Sequence, residues 1–237
     1  MPAKALVLNS VQYNGKYGCH KCEQPGNTVK TGERGHVHAF PFTATDPKGP
    51  PRTDEKFAFD AKLANDTKST VTGVKGPCLL GQLKSYTIIK GTGVDYMRSV
   101  LLGVMRLLMN LWCSTEFSFK PFSIQNVRKL TRDFKISPLY LQHDILGQCS
   151  PTECFFKASE YRDLLLFYGP IVFRGILESV YYNHFLLLSE AVFILLMESI
   201  SVEQVDHAEK LLWNFCSQFG DLYGERYKLQ MFTFLFT

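Results

Sequence analysis

The sequence predicts a mainly α-helical protein with one small β element, and three observations carry that expectation. Residues 94 to 227 are rich in Leu, Phe, Tyr and Ile, and over most of them these recur with helical spacing, the period of a helix with one buried face. Capping patterns precede these stretches, as at Ser201 ahead of Val202-Glu203-Gln204. Only His36-Val37-His38-Ala39-Phe40 alternates at period two, and it ends at Pro41 as a short strand does.

The first element, Pro2 to Leu8, reads as a short helix running into Val11, broken by Asn14-Gly15 and Tyr17-Gly18. Thr53 has the chemistry of an N-cap for a short helix opening with Asp54-Glu55-Lys56-Phe57. Its apolar positions (Phe57, Phe59, Ala61, Leu63, Ala64) do not choose between the two periods. Gly91 to Trp112 is the clearest long helix, striped by Val94, Met97, Leu101, Val104, Leu108, Leu111 and Trp112. Shorter helices are expected over Ser123 to Phe134 and over Lys157 to Tyr168, the latter stopped by Gly169-Pro170. Two more run from about Val180 to Ser199 and from Ser201 to about Gly220. Lys135 to Cys154 and Leu229 to Thr237 have no steady period and read as loop or as frame-shifted sequence.

These elements should pack through Leu101, Leu108, Trp112, Leu165, Phe185, Val192, Leu196, Leu212 and Phe215, with the 180–199 helix the most buried. The stripe from Tyr181 to Leu196, and Leu211 to Phe215 with Trp213, reads as core. His184 and His207 are expected at its edges. The chain divides into an irregular, cysteine-bearing segment (1–90), a helical region (91–228) and a tail (229–237).

Charge bounds the function. With 26 basic and 22 acidic residues the net charge is +4 and the pI about 8.6, so DNA contact is permitted but not demanded. Met1 to Ser10 lacks the layout of a secretory signal, which implies a reducing compartment, nuclear or cytoplasmic. The longest apolar stretch, Phe185 to Met197, is too short and too polar at its middle to span a bilayer. No phosphate-binding loop, nucleophile elbow or H-E-x-x-H is present, so no nucleotide cofactor is implied.

Seven cysteines are scattered except for Cys19-His20-Lys21-Cys22, flanked by Tyr17-Gly18 and Pro25-Gly26. Two thiolates two residues apart grip one zinc ion when the turn aims both sulfurs inward. The nearest further ligands are His36 and His38, giving C-x2-C-x13-H-x-H; His143, His184 and His207 are alternatives. Redox use, or no use at all, also fits a lone CxxC. Asp95 sits where a long helix begins and reads as a cap or as a site carboxylate, and Glu160 lies in the first turn of its helix.

Asn14-Gly15-Lys16-Tyr17-Gly18-Cys19-His20-Lys21-Cys22 with Pro25-Gly26, Gly93-Val94-Asp95-Tyr96-Met97 with Leu101-Leu102-Gly103-Val104, and Lys157-Ala158-Ser159-Glu160-Tyr161-Arg162 follow one another in order. Together they resemble the CACTA (En/Spm-like) transposases, over most of residues 3 to 228. The resemblance implies the C-terminal part of an RNase H-like core carrying a zinc-knuckle and helical insertion. In that family two aspartates and a glutamate hold two divalent ions, Mg2+ in the active form, for DNA strand transfer. It assigns Glu160 as the third acidic ligand and Cys19 and Cys22 as the zinc pair. The family's D-x-x-H is kept as Asp95 with Arg98 in place of its histidine, and the position of its second aspartate falls at Met1 or outside the chain. The first aspartate is expected upstream of this chain.

One glutamate does not hold two hydrated ions in place. A transposon-derived fragment without catalytic activity is therefore the leading expectation. A domesticated zinc-containing module that contacts DNA or a protein is the alternative. A subunit completed by a separately encoded N-terminal half comes third.

Overall fold

The computed structural model describes residues 2–30, 35–40, 49–93, 95–113, 156–175, 177–224 and 227. They fall into two compact units, one within residues 1–99 and one spanning Val100–Gly224. The protein is mainly helical with a single small sheet among the described residues, as the sequence predicts. The expected helix over 123–134 and the irregular stretches 135–154 and 229–237 lie outside them.

In the first unit, α1 (Pro2–Val7) ends sooner than expected. Asn9 adopts a left-handed conformation (φ 48°), and Ser10 then bridges to Val74. The Val11 amide donates to the Gly73 carbonyl at 2.7 Å, so a backbone group that would have continued the helix is satisfied from 62 residues away. The strand expected at His36–Ala39 is present as β2. Its partner β1 (Asn27–Lys30), which carries no clear period, pairs with it antiparallel, Asn27 opposite Ala39 and Lys30 opposite His36.

Thr53 caps α2 (Asp54–Thr67), accepting from the Lys56 amide. That helix buries Phe57, Asp60, Ala61 and Ala64, a three-and-four spacing hidden in the sequence by exposed Phe59 and Leu63. Phe57 and Ala61 pack with Leu8, Val74, Cys78 and Ile88, the last from the one-turn helix α3 (Ile88–Gly91). Asp54 reaches back to accept from the Ile89 amide at 3.0 Å.

The long helix begins later than the stripe suggested. A π-helical segment, Met97–Met105, runs into α4 (Arg106–Cys113). Wide i→i+5 turns rotate the stripe, so Val104, Met105, Leu107, Leu108 and Met109 are all buried. The next helix is not stopped at Gly169-Pro170. α5 (Ala158–Asp163) passes through a π-helical segment, Leu164–Tyr168, into α6 (Gly169–Val172). The missing N–H of Pro170 falls where α6 starts, and its carbonyl accepts from Tyr182 Oη at 2.7 Å. A side chain at Gly169 would collide with the Leu164 carbonyl and with the Phe185 ring, which accounts for glycine there.

α7 (Ser179–Leu195) and α8 (Val202–Tyr223) form an antiparallel pair around Ala191, Ala208 and Leu211. Of the expected core, Leu101, Leu108, Trp112, Leu165, Phe185, Val192 and Phe215 are buried and Leu212 partly so. Leu196 is not: α7 ends one residue before it, and it is 47% exposed. Leu195 and Trp213 are likewise outside the core, and α7 presents Val180, Asn183, Glu190 and Phe193 to solvent. High mean hydropathy misled there, because α7 packs on one side only. His184, expected at an edge, is 1% exposed.

Candidate functional site

The knuckle grows from a left-handed residue. Tyr17 has φ 58°, which turns the chain so that Gly18 packs where a Cβ would strike the Gln12 and Tyr13 carbonyls. Cys19 and Cys22 follow, both buried, and with Phe40 they form a small cluster of their own. Their side chains share a hydrogen bond, so the two sulfurs converge. Main-chain amides are aimed at them as well. Lys21 N–H donates to Cys19 Sγ at 3.4 Å, Cys22 N–H also serves Cys19, and Gln24 N–H serves Cys22.

These donors set the chemistry. The hydrogen bond from Cys22, followed by the Lys21 amide, holds the Cys19 thiol down at about 6 despite burial. Cys22 is pushed up, because it gives that hydrogen bond and is itself desolvated. Burial, then the charges of Lys4 and Arg52, pushes His20 down to about 4, so its imidazole is neutral at pH 7.

His36 and His38 reach the neighbourhood but not the sulfurs. His38 rests edge-on against Phe40, with centroids 5.6 Å apart. Both of its ring nitrogens are engaged, Nδ1 with Thr28 Oγ1 at 3.3 Å and Nε2 with the Pro25 carbonyl at 2.9 Å. His36 is exposed at the end of β2. Among the described residues no group of three His, Cys, Asp or Glu side chains gathers. The knuckle thus fits half of a tetrahedral zinc site: two converging sulfurs with amide donors behind them. His143 lies outside the described residues, His184 is in the core of the second unit, and His207 pairs with Glu190 at 3.1 Å.

The two carboxylates singled out by sequence are both engaged at helix starts. Asp95 Oδ1 accepts from the Arg98 amide at 3.1 Å, and Oδ2 lies 3.7 Å from Arg98 Nε. Arg98 is therefore the partner of Asp95. Glu160 Oε2 accepts from the Lys157 amide at 2.6 Å, ahead of the first turn of α5.

Sequence reasoning passed over Arg52, which lies beneath the knuckle. Its Nε donates to the carbonyls of Cys19 (3.0 Å) and Cys22 (3.1 Å), and its Nη2 to those of Tyr17 (3.2 Å) and Thr72 (2.6 Å). Nothing in Pro50-Pro51-Arg52-Thr53 marks it, since its acceptors are main-chain atoms far away in sequence. Lys21 Nζ in turn donates to the Ile89 carbonyl at 2.5 Å, tying the knuckle to α3.

Comparison of the chain with protein-family models, with characterised proteins and with solved structures returned no match. No helix among the described residues is long and apolar enough to cross a membrane.

Proposed function

We propose that this chain is a CACTA-transposase-derived protein without strand-transfer activity, whose Cys19–Cys22 knuckle holds a structural zinc ion and serves a module that contacts DNA or a protein. The carrying observation is the pair of converging sulfurs with the amides of Lys21, Cys22 and Gln24 directed at them. Amide donors favour thiolate over thiol, and thiolate is the form that binds zinc. In the RNase H-like frame that the resemblance implies, Glu160 is the last acidic ligand. Here its carboxylate closes a helix N-terminus, a role needing no metal.

Two measurements test the reading. Purified full-length protein should carry one zinc per chain, lost in Cys19→Ser and in Cys22→Ser; a metal-free protein sinks the zinc assignment. Supercoiled plasmid incubated with it in Mg2+ or Mn2+ should remain intact. Metal-dependent nicking that disappears in Glu160→Ala means the protein is an enzyme.

A further inference from the structure

Residues 50–52 run antiparallel to the knuckle. Glu23 N–H donates to the Pro50 carbonyl at 2.8 Å, Arg52 N–H to the Lys21 carbonyl at 2.9 Å, and Cys22 faces Pro51 as a β-bridge. This short ladder brings the Arg52 side chain, 7% exposed, against the inner side of the cysteine turn. Four carbonyls from two stretches of chain then accept from one guanidinium.

Carbonyl oxygens satisfy the N–H groups of a buried guanidinium but do not neutralise it. The negative groups acting on Arg52 are Glu23, Cys19, Cys22 and Asp60. Asp60 is already engaged, by Lys56 at 2.6 Å and by the Thr72 hydroxyl. Thiolate sulfur at the knuckle therefore adds to the negative groups facing this buried cation.

We propose that Arg52 is the positioning residue of the cysteine site. Its Nε–H is shared between the Cys19 and Cys22 carbonyls and ties the two ends of the turn together, so that both sulfurs face one point. The proposal rests on the zinc assignment above. Lysine does not replace it, because an ammonium is a point charge without the planar fork whose Nε serves the cysteine carbonyls while Nη2 reaches Tyr17 and Thr72.

The test uses the full chain, with cobalt(II) as probe and zinc affinity measured against a chelator. Arg52→Lys, which keeps the charge, should bind about 10-fold more weakly, and Arg52→Met about 100-fold, the range of supporting-shell losses. The thiolate-to-cobalt absorption band of Arg52→Lys should shift and weaken per bound ion, while its helical circular dichroism stays unchanged. Wild-type affinity with an unaltered band in both variants overturns the proposal. Should Arg52→Met not fold, Arg52→Lys alone decides, by the same two readouts. If the wild type binds neither cobalt nor zinc, it is the zinc assignment that fails. Hydrogen exchange at the Lys21, Cys22 and Gln24 amides then decides for Arg52: faster exchange in Arg52→Lys supports the clamp, and unchanged exchange refutes it.

Discussion

The imidazole of His184 lies face to face with the ring of Phe215, centroids 4.3 Å apart and planes inclined by 20°, while its Nε2 bonds the carbonyl of that same residue at 2.9 Å. A carbonyl only accepts, so Nε2 carries the proton and Nδ1 is left with a lone pair. The Tyr223 hydroxyl lies 3.5 Å from Nδ1 and itself accepts from Trp112 Nε1 at 3.3 Å. The neutral form is thus bonded at both nitrogens, within a cage that includes Phe219.

Acid should undo that arrangement. Burial pushes His184 down to about 4, against 6.5 when unfolded. A depressed folded pKa in a base means its stabilisation is complete above pH 6.5 and drains away as the pH falls toward 4. The loss by then is roughly 3 kcal/mol. Thermal midpoints from pH 7.5 to 4.5 should fall less steeply in His184→Gln. An identical slope in the variant would show that His184 does not titrate this way.

Glu160→Ala should cost about 1 kcal/mol by removing the carboxylate that satisfies the Lys157 amide. Glu160→Gln, which can still accept that hydrogen bond, should recover most of it. Urea midpoints report both. A metal ligand behaves otherwise: there the glutamine variant loses as much as the alanine one whenever divalent ions are present.

Gly73 has φ +83°, and a Cβ there would run into the Tyr17 carbonyl, one of the Arg52 acceptors. Gly73→Ala should therefore destabilise the first unit by about 2 kcal/mol. It should also loosen the knuckle, seen as weaker zinc retention in a chelator competition. Normal retention in the variant would separate the turn from the site.

At the other end of the chain, Ser201 accepts from the Gln204 amide at 3.3 Å and Gln204 Oε1 accepts from the Ser201 amide at 2.9 Å. Ser201→Ala should lower stability by about 1 kcal/mol with an unchanged denaturant slope. An effect below a few tenths would mean that α8 is held by packing alone.

Local signals were legible from the sequence: the Thr53 and Ser201 caps, the β2 strand and the helical stripes all depend on residues within one or two turns. Features fixed from afar were hidden. β1 forms because β2 pairs with it, and α1 stops because Val74 and Gly73 take over its backbone groups. The π-helical segments at 97–105 and 164–168 keep the composition of ordinary helices, so no period reveals them. His184 looked like an edge residue because a histidine in an apolar run gives no hint of the carbonyl and hydroxyl that satisfy it. At the site, the cysteine spacing was readable. Arg52 was not, since a main-chain acceptor leaves no trace in residue identity.

The Arg52 bonds join positions 30 to 35 residues apart at the cysteines and at Tyr17, and 20 apart at Thr72. Closing such loops costs entropy before the contacts return anything. During synthesis the two thiols therefore remain an ordinary flexible pair until residue 73 has emerged, long after they are themselves exposed. If the knuckle holds zinc as proposed, an ion caught in that interval would have loose ligands and exchange freely, and once the loops close it would leave only as fast as they reopen. Its lifetime and the opening rate of the first unit would then be one number.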